Sequence, residues 1–218
     1  MLLAITPPNA TPKVVQYYNA LLGAGLSMLL LRLPDASQEQ YEDCIRAIEP
    51  RHRSKVILAD YFHLVPMAGL GGIHLKASRQ KEWEHWQEVA QAQRIMVSAH
   101  SLDELESLPF CPDLALLSPV FDSISKGGYH ANIDLDECRS RLPKLPFSVL
   151  ALGGITPDNY PLVRSYGFAG GATLGYLAEQ EDAMEEAFLR FARPEVLTLA
   201  GHDPSSGAGL TADVRSIE

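Results

Sequence analysis

The residues best suited to chemistry lie where short apolar runs end. The clearest case is the stretch from Leu145 to Ile155, an apolar run closed by Gly153 and Gly154 and followed by Thr156-Pro157. The run reads as a buried strand and the glycines as a tight exit from its carboxyl end. Pro157 suits the first turn of a following helix, where no backbone N–H is needed. A strand, turn and helix start of this kind aims free N–H groups at one point, where an anion such as phosphate can sit. An ordinary tight turn between strand and helix leaves the same pattern.

Other candidates follow other apolar runs. Arg32 is embedded in the run from Ser27 to Leu33. Burying it alone is costly, so it must reach a carboxylate, a phosphate or solvent. Lys126 lies in a polar loop running from Phe121 to about Asn132. It can close over a pyrophosphate as a point charge, or simply be solvated. Asp60 directly follows a buried run, as a Mg²⁺ ligand or as a helix cap. His74 sits inside a run and reads as a satisfied core histidine. His100 has a near-neutral reference pKa and is the candidate general acid or base. Ser98, Ser118, Ser123 and Ser125 add hydroxyls, and Gly175 a further backbone approach. Trp83 and Trp86 read as a packing stripe. Arginine, lysine, hydroxyls and glycines with a single carboxylate describe an anion-binding mouth, not a hydrolytic carboxylate pair.

The elements that must position these groups alternate regularly. Apolar runs predict strands over 2–5, 27–33, 55–59, 71–75, 94–98, 113–118, 147–152 and 170–174. Helical spacing predicts helices over 12–24, 37–49, 61–68, 79–92, 102–108, 133–141, 158–166 and 179–192, with Ser37 as a cap. The strands are continuously apolar, as parallel strands covered on both faces are. This alternation predicts a (β/α)₈ TIM barrel over 1–192, with 193–218 as a short C-terminal tail. The runner-up is an open doubly wound sheet; pairing of the first and last strands separates the two. In a barrel, the groups named above converge at the carboxyl ends of the strands.

Composition narrows the class. Hydrophobic residues make up 46% of the 218 residues and charged ones 21%, a globular balance with enough chain for a large core. The net charge of −9 and the lack of a Lys/Arg cluster argue against nucleic acid as a partner. Cys44, Cys111 and Cys138 form no metal-ligand spacing and read as free thiols. The opening residues lack a basic region and no apolar stretch is long enough to span a bilayer. A cytoplasmic protein acting on small phosphorylated molecules is the expectation, with self-association left open.

At these residues the sequence resembles the thiamine phosphate synthase family, including its TenI-type thiazole tautomerase branch. The resemblance spans Leu2 to Phe191 and rests on LRL at 31–33, AD at 59–60, GGIHL at 71–75, VSAHSLDEL at 97–105, LLSPVFDSISK at 116–126 and LALGGITPDN at 150–159. It implies a (β/α)₈ enzyme that joins hydroxymethylpyrimidine pyrophosphate to a thiazole phosphate, releasing pyrophosphate with Mg²⁺. It assigns pyrophosphate binding to Arg32 and Mg²⁺ binding to Asp60. Ser98 matches a serine near the substrate. Ser123, Ser125 and Lys126 match groups around the pyrophosphate, and Gly153 and Gly154 match the thiazole phosphate loop. Arg32, Ser98 and Lys126 are thus the catalytic candidates, and His100 and Gly175 join the candidate substrate contacts.

The chain departs from the family pattern at identifiable places. Leu30 stands where a glutamine is usual, Pro34 where a lysine is usual, and Ala59 where an asparagine is usual. The second metal aspartate falls near Arg79. The tautomerase branch carries a catalytic histidine just before a Val-Phe pair; here Pro119 is there, with Ser118 before it. Synthase-type transfer leads, with a TenI-like tautomerase and a degenerate, non-catalytic phosphate-ligand binder as alternatives. The tail from Glu195 to Glu218 resembles the opening of a hydroxymethylpyrimidine phosphate kinase, through Gly201, Asp203, Gly207, Gly209 and Asp213. It is too short for a kinase domain and implies a natural fusion to one, cut short.

Overall fold

The computed structural model describes residues 1–88, 94–122 and 133–191. The tail reading at 193–218, the end of the helix expected over 79–92, and Ser123, Ser125 and Lys126 lie outside the described residues.

Eight strands form a closed parallel barrel in sequence order. They are β1 (Leu2–Ile5), β2 (Met28–Leu31), β3 (Val56–Leu58), β4 (Gly72–Leu75), β5 (Arg94–Ala99), β6 (Leu114–Leu117), β7 (Ser148–Leu152) and β8 (Gly170–Thr173). β1 pairs with β8 as well as with β2, with Leu3 opposite both Ala172 and Met28. That pairing closes the (β/α)₈ barrel and excludes the open sheet.

Helices cover the outside: α1 (Pro12–Gly23), α2 (Gln38–Ala47), α3 (Leu64–Ala68), α4 (Trp83–Gln87), α5 (Leu102–Glu106), α6 (Leu135–Arg141), α7 (Tyr160–Ser165), α8 (Gly175–Ala178) and α9 (Met184–Leu189). Their starts follow from short polar side chains. Ser37 caps α2 in a reciprocal box with Gln40, and Asp134 accepts from the N–H groups of Asp136 and Glu137 at α6. Trp83 stacks on Phe110 and Trp86 meets Phe62 edge-on, so both tryptophans pack.

Several elements differ from expectation, among them the helix expected over 79–92, which opens as a 3₁₀ helix at Ala77–Glu82. The helix expected over 158–166 begins at Tyr160, with Pro161 in the first turn in place of Pro157. Asn159 causes the delay: its Oδ1 accepts from the Thr156 N–H at 2.9 Å and its Nδ2 donates to the Gly154 carbonyl at 2.7 Å. This local turn offers the backbone an alternative to helix. The last helix, expected as one piece over 179–192, is a 3₁₀ turn at Glu181–Ala183 followed by α9, and α8 precedes it where no helix was expected.

Alternate strand residues face opposite sides, which gives two apolar clusters. Leu3, Ile5, Met28, Leu30, Ile57, Met96, Leu116 and Leu150 fill the barrel interior. Their strand neighbours, such as Ala4, Leu29, Leu31, Leu58, Val97 and Ala151, pack under the helices. Both faces are buried, so both must be apolar, and the runs are continuous as a result.

The seam needs a glycine. A Cβ on Gly170 would overlap the carbonyl of Met1, which accepts from the Gly171 N–H at 3.1 Å. Gly170→Val should therefore cost roughly 3 kcal/mol through overpacking. That lowers the thermal midpoint by about 10 °C in a chain of this size. A thermal melt that leaves the midpoint in place would show that the seam accommodates a side chain.

Candidate active site

A cavity of about 350 Å³ opens at the carboxyl ends of the strands. It is lined by Arg32 after β2, His74 and Lys76 at β4, Ser98 and His100 at β5, Ser118 after β6, Gly153 and Gly154 after β7, and Thr173 and Gly175 at β8. Ile5, Leu30, Leu116, Leu152 and Ala172 supply its apolar wall. The structure thus brings together Arg32, Ser98, His100, Gly153, Gly154 and Gly175, all expected from sequence to share a mouth.

Arg32 stands one residue past β2. Its backbone is clamped by buried Thr6, which accepts from the Arg32 N–H at 2.9 Å and donates to the Arg32 carbonyl at 3.0 Å. Among the described residues no carboxylate pairs with its guanidinium. The structural ion pair considered for Arg32 is therefore not formed there. A cation at the cavity rim is what remains, with solvent or an anion as its partner.

His74 corrects the expectation of a satisfied core histidine. It is buried, but it faces the cavity and its Nε2 lies 2.7 Å from Ser98 Oγ. Its buried Nδ1 has no partner among the described residues. Burial, then the positive charges of Lys76 and Arg32, push its pKa down to about 3. The His74–Ser98 pair is therefore uncharged near neutral pH. Gln80 Nε2 donates to the Ser98 carbonyl at 2.8 Å and fixes that end of β5.

His100 lies at the exposed end of β5. Its Nδ1 donates to the Ser118 carbonyl at 3.1 Å, and its backbone N–H donates to Glu104 at 2.7 Å. These bonds hold the imidazole beside the end of β6.

Gly153 and Gly154 have left-handed φ values of +102° and +62°. A Cβ on Gly154 would overlap the Asp122 carbonyl and come within 2.8 Å of Phe121 Cβ. Close approach of the segment after β6 therefore demands glycine here, whatever the cavity binds. Among the described residues no acceptor meets the N–H of Gly154 or Ile155, and both residues line the cavity. This turn has the donors that an anion needs.

Asp60 is the residue that sequence reasoning misplaced. It is not among the cavity-lining residues. Ala59 takes the interior position after Ile57, which leaves Asp60 on the opposite side of the strand's path. Its Oδ1 accepts from Arg79 at 3.0 Å and its Oδ2 from Lys76 at 3.3 Å. Arg79 also bonds Glu82 at 2.9 Å and lies over the Phe62 ring at 4.7 Å. That bond, then donation from the Trp86 indole, holds Glu82 down at about pKa 2. Among the described residues no three His, Cys, Asp or Glu side chains converge as a metal site. The expected Mg²⁺ site at Asp60 is therefore overturned: two cations already occupy the carboxylate. Lys76, two residues beyond His74 and just past β4, lines the same cavity.

The fold and cavity define a (β/α)₈ protein whose mouth carries cations, hydroxyls and free backbone donors. A family profile described as thiamine monophosphate synthase matches residues 2–176. The chain belongs to that family. It is 28% identical to a thiamine-phosphate synthase of Caldicellulosiruptor saccharolyticus over 151 residues, 66% of this chain and 67% of the relative. It is 26% identical to that of Citrobacter koseri over 192 residues, 86% and 88% of the two chains. The crystal structure of thiamine phosphate pyrophosphorylase from Bacteroides thetaiotaomicron superposes with a TM-score of 0.71 at 25% identity, covering 88% of this chain and 95% of that one. Among the described residues no helix is long and apolar enough to cross a membrane.

His74 makes stability pH-dependent with a definite sign. Its folded pKa lies below its unfolded value, so below about pH 6.5 the unfolded chain binds a proton that the native state refuses. Stability should fall as pH drops through that range. Denaturant unfolding at about pH 7.5 and about pH 5.5 should show His74→Gln losing about 1.4 kcal/mol less than the parent. Equal losses would mean that His74 is not held neutral.

Proposed function

We propose that this chain is a thiamine phosphate synthase-type transferase. In this reading it joins hydroxymethylpyrimidine pyrophosphate to a thiazole phosphate and releases pyrophosphate. One observation carries the reading: Arg32, Ser98 and the Gly153-Gly154 turn line a single cavity in a barrel of this family. In such a transfer, negative charge gathers on the departing pyrophosphate. Cations and N–H donors fixed at the rim lower the barrier by binding that charge more strongly than the substrate's. Arg32 is the rim cation assigned to it, with Lys126, Ser123 and Ser125 as further candidates from the loop after β6. Ser98, beside neutral His74, would meet the uncharged end of a substrate, and Gly153, Gly154 and Gly175 its phosphate. Residues 1–192 form the catalytic unit in this reading, and 193–218 the start of a kinase-like extension.

Mixing both substrates with the protein should release pyrophosphate, detected by a coupled phosphatase assay. Arg32→Ala should lower the rate by about a hundredfold, the loss of one strong charge-assisted contact at the transition state. Binding of thiazole phosphate without any turnover would instead favour a non-catalytic ligand binder. Unchanged turnover in Arg32→Ala would remove that residue from the mechanism.

A second reading rests on His100. Its imidazole is bonded to the carbonyl of Ser118, next to the position where the tautomerase branch carries its catalytic histidine. A histidine delivered from β5 supports TenI-like isomerisation of a thiazole carboxylate phosphate. Isomerisation that survives His100→Ala would remove this support.

A further inference from the structure

The family reaction implies a divalent cation, and the residues here do not fit one. Three observations agree. No Asp or Glu lines the cavity among the described residues, whereas Arg32 and Lys76 do. The Asp60 carboxylate is bonded to both Lys76 and Arg79. Arg79, near the expected second metal aspartate, reverses the charge at that place. A divalent ion approaching Asp60 would meet two cations within hydrogen-bond distance of the oxygens it needs, and their repulsion opposes it.

We propose that the cavity binds the phosphate or diphosphate end of its ligand without a divalent cation, using the Lys76 ammonium with the Arg32 guanidinium. This rests on the reading of the cavity as a phosphate-ligand site. Lys76 suits the role. Its side chain is 39% exposed at the rim, and its one bond among the described residues, to Asp60, leaves further N–H donors. Its flexible stem lets the ammonium turn toward an anion. Arg79 is less free, held by Asp60, Glu82 and the Phe62 ring. Asp60 is then not a ligand but a competitor for Lys76, holding it while no anion is bound.

Calorimetric titration of inorganic pyrophosphate into the full chain tests this, once in EDTA and once with excess Mg²⁺. Binding should persist in EDTA. Lys76→Gln should weaken it by about tenfold or more, and Lys76→Arg should restore it. Asp60→Asn should leave the affinity equal or tighter, whereas a metal ligand would lose binding on the same change. Circular dichroism of each variant checks that the barrel is intact. Binding only with Mg²⁺, binding lost in Asp60→Asn, or binding in EDTA untouched by Lys76→Gln would each overturn the proposal while leaving the transferase reading standing. No binding in either condition would overturn the proposal and the pyrophosphate-releasing reading together.

Discussion

The ladder between β1 and β8 turns a sheet into a ring, and the ring decides where each side chain goes. Once it is closed, alternate residues must point to the axis and the rest to the helices. Leu30 and Met96 point inward, and so do the positions two residues on, Arg32 and Ser98. The same count runs from His74 to Lys76 and from Leu152 to Gly154. The mouth is therefore the continuation of the interior, raised by one step beyond the strands. Groups on strands far apart in the chain meet there because parity leaves them one direction.

The same constraint explains what is absent from the mouth. Asp60 follows an interior alanine and is out of phase with the axis. Its charge is answered by Lys76 and Arg79, and a partly exposed pair of this kind gains little net stability. Its effect is on location: it gathers positive charge at the β3–β4 side of the rim. The Gly153-Gly154 turn lines the opening as well, so cations and backbone donors border a common space. The protein's overall charge is negative, and the field that matters to an anion is this local one.

Much of this was legible in the sequence. Continuous apolar runs fixed all eight strands to within a residue or two, because burial on both faces leaves no polar alternative. The strand ends then named Arg32, Ser98, His100 and the glycines. Asp60 misled because proximity to a strand end says nothing of phase, and a run as short as Val56–Leu58 shows no alternation to count. His74 misled for a related reason. Burial predicted a core role, but an interior position near the strand's end is both buried and at the floor of the opening. The paired capture of Asp60 could not be read at all, since Lys76 and Arg79 reach it across the gap between β3 and the turn after β4. The short helices near the carboxyl end are set by tertiary contacts, with Tyr160, Tyr176 and Phe191 meeting edge-to-face.

The neutral His74–Ser98 pair gives the opening a vertical polarity. Depth offers an uncharged hydrogen-bonding spot among leucines and an alanine, while height offers ammonium and guanidinium. A molecule with a flat neutral head and an ionic tail is favoured head first, since the reverse would set the tail's charge among apolar side chains. Orientation would then be chosen before any lid, loop or catalytic contact acts.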